Sequence, residues 1–235
     1  METVPYTPHV GQTRQYVRDI VLGVNDGLVS TFLLVAGVVG GGLNVAQVLL
    51  TAVAGALAGA VSMAAGEWLA TKSQDEVLES EIELEKVHLQ HHRASEVDQL
   101  RDMFTNMGIA HDDLEEVVKA FDRSDRAMLN AMKALEFGVV ESERRSPYFA
   151  AVASGLLFLF GSLGSVIPFL LASTPGVGLL WAGIISAIGL FAVGVIKTTI
   201  TRTKPIRSGL ENLVIAGLGG ALAFLIGRLV GASLS

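Results

Sequence analysis

The sequence predicts an all-α, polytopic membrane protein of five transmembrane helices, with a helical domain inserted between the second and third. Two observations carry that prediction. Of the 235 residues, 51% are hydrophobic, mean hydropathy is +0.52, and the apolar residues gather in five long runs, which points to lipid and not to a water-soluble core. The charges gather as tightly. Residues 72–145 hold 18 of the 23 acidic side chains, 10 of the 17 basic ones and four of the five histidines.

A spanning helix needs roughly 20 mostly apolar residues to cross about 30 Å of hydrocarbon. Residues 20–42, 45–71, 148–172, 177–199 and 209–231 meet that length. Backbone groups in lipid must be satisfied within the segment, and these Gly- and Ala-rich runs show no barrel alternation, so they read as helices. Residues 1–18 are polar, and the run that follows is long enough to span and stay, so no cleavable leader is expected. The chain thus divides into residues 1–71, the N-terminal segment with spans one and two; residues 72–146, the inserted domain; and residues 147–235, spans three to five.

Within the inserted domain, residues 73–108 carry no helix breaker, Gly108-Ile109 marks a turn, Asp112 can cap a helix reaching Phe121, and Ser124 or Asp125 can cap one running to about Phe137. A three- or four-helix domain continuous with span two is expected. In the spans, Gly55-Ala-Leu-Ala-Gly59 and Gly217-Leu-Gly-Gly-Ala221 have the small-residue spacing that lets helices approach closely, within one chain or between two.

Orientation follows from the basic residues, which the cytosolic side retains during insertion. Arg14 and Arg18 precede span one, Arg144 and Arg145 precede span three, and Lys197, Arg202, Lys204 and Arg207 join spans four and five. The alternate loops, residues 40–44 and 172–178, are uncharged. The N-terminus and inserted domain are therefore expected in the cytosol and the C-terminus on the opposite side. Arg228, near the outer end of span five, fits as a side chain that snorkels to the interface.

Composition also excludes. With no cysteine there is no disulfide, thiolate metal site or cysteine nucleophile. The net charge of −6, drawn mainly from the inserted domain, argues against a nucleic-acid partner.

Asp26 is the most informative single residue, because an Asp inside a span costs roughly 3 kcal/mol on insertion. Two readings remain open for it: a structural hydrogen bond to a neighbouring helix, or a cation or proton site on a pathway. Gly23 and Gly27 leave room beside it, Asn25 and Ser30 add oxygens, and Ser30 shares its face. In span two, Met63 either fills a packing gap or offers a thioether to a borderline metal, with Glu67 one turn on. In the inserted domain, Glu81, Glu85, His88 and His92 form one helical stripe, and Met132 and Glu136 pair at i, i+4 on a later helix. These are a metal-binding face or a solvated acidic one. Glu85-Lys-Val-His88 also matches, once, the Glu-x-x-His unit of di-iron bundles.

An ordered set of these motifs resembles the vacuolar iron transporter family over nearly the whole chain. The set comprises Arg18-Asp-Ile-Val-Leu-Gly-Val-Asn-Asp-Gly-Leu-Val29, Gly59-Ala-Val-Ser-Met63, Trp68-Leu-Ala-Thr-Lys-Ser73, Ile167-Pro168 and Lys204-Pro-Ile-Arg-Ser208. The resemblance implies five spans, a homodimer with the ion path between protomers, a cytosolic metal-binding domain, and exchange of Fe²⁺, often also Mn²⁺, for protons across a vacuolar or cell membrane. The metal ion is then cargo, and no cofactor is implied. By this likeness Asp26 and Met63 fall on the translocation path, which Glu67 joins by its spacing from Met63, and Glu85, Glu96, Met132 and Glu136 are candidate metal ligands of the cytosolic domain, to which the helical stripe adds Glu81, His88 and His92. The chain departs from the family pattern where a span-two glutamate is replaced by Gly55 or its apolar neighbours, and where His88, Gln99 and Lys133 stand at ligand places. The rival classes are a membrane-anchored ferroxidase built on Glu85 and His88, and a non-transporting sensor or scaffold.

Overall fold

The computed structural model describes residues 13–138, 145–201 and 204–234. Eight helices account for them: α1 (Thr13–Gly40), α2 (Val45–His91), α3 (Arg93–Asn106), α4 (His111–Asp122), α5 (Asp125–Leu135), α6 (Pro147–Leu171), α7 (Pro175–Thr201) and α8 (Pro205–Leu234). No strand occurs among the described residues. Five of the helices, α1, α2, α6, α7 and α8, are long and apolar enough to cross a membrane, and they fall on the five runs read from the sequence. The chain separates into two compact units, one formed by Met1–Trp68 with Tyr148–Ser235, the other by Leu69–Pro147.

Helix starts in the first unit follow local chemistry. Asn44 and Gln47 exchange side-chain-to-backbone hydrogen bonds of 3.0 and 3.1 Å at the head of α2, satisfying two otherwise orphaned N–H groups. Proline occupies the first position of α6, α7 and α8, where its missing N–H costs nothing. The apolar core of the unit joins Val35, Val48, Ala52, Ala56, Val166 and Phe169. Spans pack backbone to backbone at glycines: a Cβ on Gly27 would run into the Phe158 carbonyl of α6, and one on Gly227 into the Gly37 carbonyl of α1. Gly55 and Gly59 abut the side chains of Leu34 and Phe158, so that small-residue pair serves packing within the chain, whereas Gly217 borders open space.

The second unit is a four-helix domain made from the last part of α2 with α3, α4 and α5, around Leu89, Leu100, Phe104, Leu114, Val118 and Met128. Arg93 on α3 holds Asp122 at 2.8 Å and Asp125 at 2.5 Å, and Arg101 holds Glu115 of α4 at 2.8 Å. Two expectations need correction. The helix predicted through residues 73–108 breaks at His92, whose φ of −130° and ψ of 30° leave the helical region and start α3. That bend lets Leu89 before it and Leu100 after it enter one core. Asp112 does not cap α4; Ala110 does, without a side-chain bond, and Asp112 lies in the first turn. Ser124 caps α5 as predicted, accepting from the Ala127 N–H at 3.3 Å. Gly108 turns the chain at φ +91°, a conformation open to glycine.

Candidate metal sites

In the membrane-type unit, α1 and α2 bring Asp26 and Met63 to one cavity of about 410 Å³, which Ser30, Thr31, Ser62 and Phe158 also line. Neither residue alone marks a site. Together they set a carboxylate and a thioether, donors for hard and borderline metals, within a span-lined space. Ser30 Oγ donates to Asp26 Oδ1 at 2.6 Å, a short bond one helical turn apart. Thr31 Oγ1 donates to Ser162 Oγ of α6 at 2.9 Å, and Ser162 in turn donates to the Phe158 carbonyl at 2.9 Å. The small residues matter here too, since Leu34 fills the space beside Gly55 and the Phe158 ring the space beside Gly59.

Glu67 does not line this cavity. Its carboxylate stands 4.0 Å from the Arg18 guanidinium, an ion pair between α1 and α2. Asn25 Oδ1 is buried with no hydrogen-bond partner among the described residues. A larger groove of about 540 Å³, between α1, α6 and α7, is lined by apolar residues throughout and offers no ligand atom.

In the inserted unit, Glu85 and His88 from α2 and Glu96 from α3 each present one ligand atom within 4.8 Å of the others. Two ligands bound about 2.1 Å from one ion can stand at most about 4.2 Å apart, so a small closure makes these three a single-ion site. Glu85 is 3% exposed and Glu96 5%. Glu85 Oε1 and Glu96 Oε2 are buried with no hydrogen-bond partner among the described residues. His88 Nδ1 lies 3.3 Å from Glu96 Oε1 and 3.9 Å from Glu85 Oε2. Burying two such acceptors is costly unless a cation or proton joins them. Accordingly the Glu85 carboxyl is pushed up to about 7, by burial first, then by the charges of Glu96 and Glu136, against the opposing pull of His88.

The other predicted ligands lie elsewhere. Glu81 and His92 are exposed and stand outside the cluster, His92 meeting His88 ring edge to face at 6.1 Å. Met132 is fully buried in the apolar core. Glu136 follows α5 as its C-cap, exposed, and reaches the cluster through its charge. The helical stripe puts Glu85 and His88 on one face, as the structure has them, but the third member of the cluster, Glu96, comes from beyond the break at His92, which no breaker residue announces. Thr31 and Ser162 carry no linear signal, because each finds its partner on another helix.

A model of the VIT family matches residues 17–228. Vacuolar iron transporter 1 of Arabidopsis thaliana is 28% identical over 216 residues, covering 92% of this chain and 86% of the relative. Vacuolar iron transporter 2 of Oryza sativa subsp. japonica is likewise 28% identical, covering 92% and 88%. Protein CCC1 of Saccharomyces cerevisiae is 25% identical over 224 residues, covering 92% and 69%.

Proposed function

The chain belongs to the VIT family, and from that premise we propose that it carries a divalent metal cation, Fe²⁺ with Mn²⁺ as a second cargo, out of the cytosol in exchange for protons. The observation that carries this reading is the meeting of Asp26 and Met63 at one cavity between the spans. A carboxylate within a span is expensive and is retained where it binds a cation or a proton. The relatives are named for transport and not for catalysis, so the ferroxidase reading is set aside.

In this mechanism the inserted unit faces the cytosol and Glu85, His88 and Glu96 take up the metal, concentrating cations on that side. The cation passes Glu67 and reaches the cavity, where Asp26 supplies charge and Met63 a soft donor. A proton arriving from the far side neutralises Asp26 and releases the metal outward, and loss of that proton to the cytosol resets the site. Because one carboxylate does not hold a metal and a proton at once, the two fluxes are coupled. The working unit is a homodimer in a vacuolar or cell membrane, with the C-terminus opposite the cytosol.

The test is Fe²⁺ uptake into proteoliposomes driven by a pH gradient. Asp26→Asn keeps the size of the side chain and removes its titration, so flux falls to background while Asp26→Glu retains part of it. An Asp26→Asn protein that moves Fe²⁺ at the normal rate overturns the mechanism.

A further inference from the structure

A hydroxyl group has one proton to give and two lone pairs to offer. At the span cavity the protons of two hydroxyls are already committed. Ser30 gives its proton to Asp26 Oδ1 at 2.6 Å. Thr31 gives its proton to Ser162 Oγ at 2.9 Å, and Ser162 passes its own to the Phe158 carbonyl at 2.9 Å. The Ser30 proton thus stays on α1, spent on Asp26, while the Thr31 proton runs from α1 into α6 and the relay ends on a backbone acceptor. Thr31 is 2% exposed and Ser162 1% exposed, so no bulk water competes to reverse it. What α1 offers the cavity is acceptors: the Asp26 carboxylate and the spent hydroxyls of Ser30 and Thr31.

We propose that Thr31 is a further cation-binding residue of the span cavity, taking a divalent metal, or a water of its hydration shell, through the oxygen lone pairs that its donated bond to Ser162 leaves free. An acceptor-only wall suits a metal ion or the hydrogens of its bound waters, and repels the lone pairs of an anion. The inference rests on the transport reading above and assigns a neutral ligand to the same site. It competes with a plainer role, in which Thr31 and Ser162 form an interhelical bond that holds α1 to α6.

The two roles separate in Fe²⁺ flux through proteoliposomes, with KM and kcat measured apart. Thr31→Val keeps the shape and removes the oxygen; KM for Fe²⁺ rises about fivefold, the worth of one ordinary hydrogen bond, with kcat little changed. Thr31→Ser restores the wild-type KM. Ser162→Ala breaks the same interhelical bond but leaves the Thr31 oxygen in place, its proton turning to the backbone carbonyl one turn back, at Gly27; KM stays at the wild-type value. Thr31→Ala is the second hydroxyl-free variant should Thr31→Val not be recovered from membranes. A wild-type KM in both hydroxyl-free variants overturns the proposal, and so does an equal rise in Ser162→Ala, which assigns the pair to packing alone. If the wild-type protein moves no Fe²⁺, the transport reading fails and takes this inference with it; if wild type moves Fe²⁺ and Thr31 is silent, only the inference fails.

Discussion

Glu85 and Asp26 are both carboxylates, the first buried and the second half-buried at a cavity, and their surroundings differ in kind. Glu85 has like charges for company: Glu96 shares its cluster and Glu136 adds to the repulsion, with one imidazole, His88, between the carboxylates. Its Oε1 is buried with no hydrogen-bond partner among the described residues. Asp26 instead has a serine donor at 2.6 Å, a threonine at the cavity wall and a thioether across from it. The first arrangement stores repulsion that a cation relieves, which favours capture. The second surrounds a lone carboxylate with neutral dipoles. On the proposed transport reading the first is the collector and the second the transit site.

The sharpest way to break this contrast is to remove a ligand from the collector alone. Glu85→Gln is expected to weaken metal binding to the inserted unit on the order of 100-fold, at the upper end of what even an outer-shell partner is worth, as read by calorimetry on the full-length protein. Flux at saturating Fe²⁺ should hold, because Asp26 and Met63 are intact. Loss of flux at saturating metal would show that the two sites do not act separately.

A pH series sharpens it next. Glu85 is raised from 4.5 to about 7 in the folded protein, so the folded state binds its proton more tightly than the unfolded chain does. The stability this contributes is full below about 4.5 and is lost as pH rises through about 7. In metal-free protein the wild type should therefore lose, relative to Glu85→Gln, on the order of 2–3 kcal/mol across that window, measured by denaturant unfolding at each pH. Metal must displace the same proton, so affinity at the inserted unit should fall about tenfold per pH unit below about 7. Parallel unfolding curves for the two proteins would refute the assignment.

The smallest effect belongs to the thioether. Met63→Leu conserves volume and removes the sulfur, and it should lower Fe²⁺ flux about threefold relative to Mn²⁺, the harder ion, the size of one weak ligand. An unchanged ratio in competitive uptake would return Met63 to a packing role.

These predictions rest on features of unequal visibility in the chain. The five spans were legible because length and apolarity alone decide whether a segment can cross lipid. Asp26 was legible because a charge inside an apolar run is conspicuous. Glu85 and His88 were legible as neighbours on one turn spacing. Glu96 was marked only by family likeness, since the residues between it and His88 carry no proline or glycine to announce the break at His92. Met132 was placed among the candidate ligands by its i, i+4 spacing to Glu136 and by the same likeness, and the fold puts it in the apolar core beside Leu100 and Met128, where its side chain also fills volume. Glu67 was placed beside Met63 by helical spacing, and the fold turns it to Arg18.

The sequence by itself determined the all-α class, the five apolar helices, the inserted charged unit and the helix turns that carry Asp26, Met63, Glu85 and His88, because each is a property of one segment and its local period. Tertiary structure alone decided that Asp26 and Met63 share a cavity, that Glu96 completes the cluster of Glu85 and His88, and that the Thr31 proton points to Ser162. Those depend on which helix packs against which. That choice is made by close backbone contacts such as Gly27 on Phe158 and by the bend at His92, whose energies come from residues far apart in the chain.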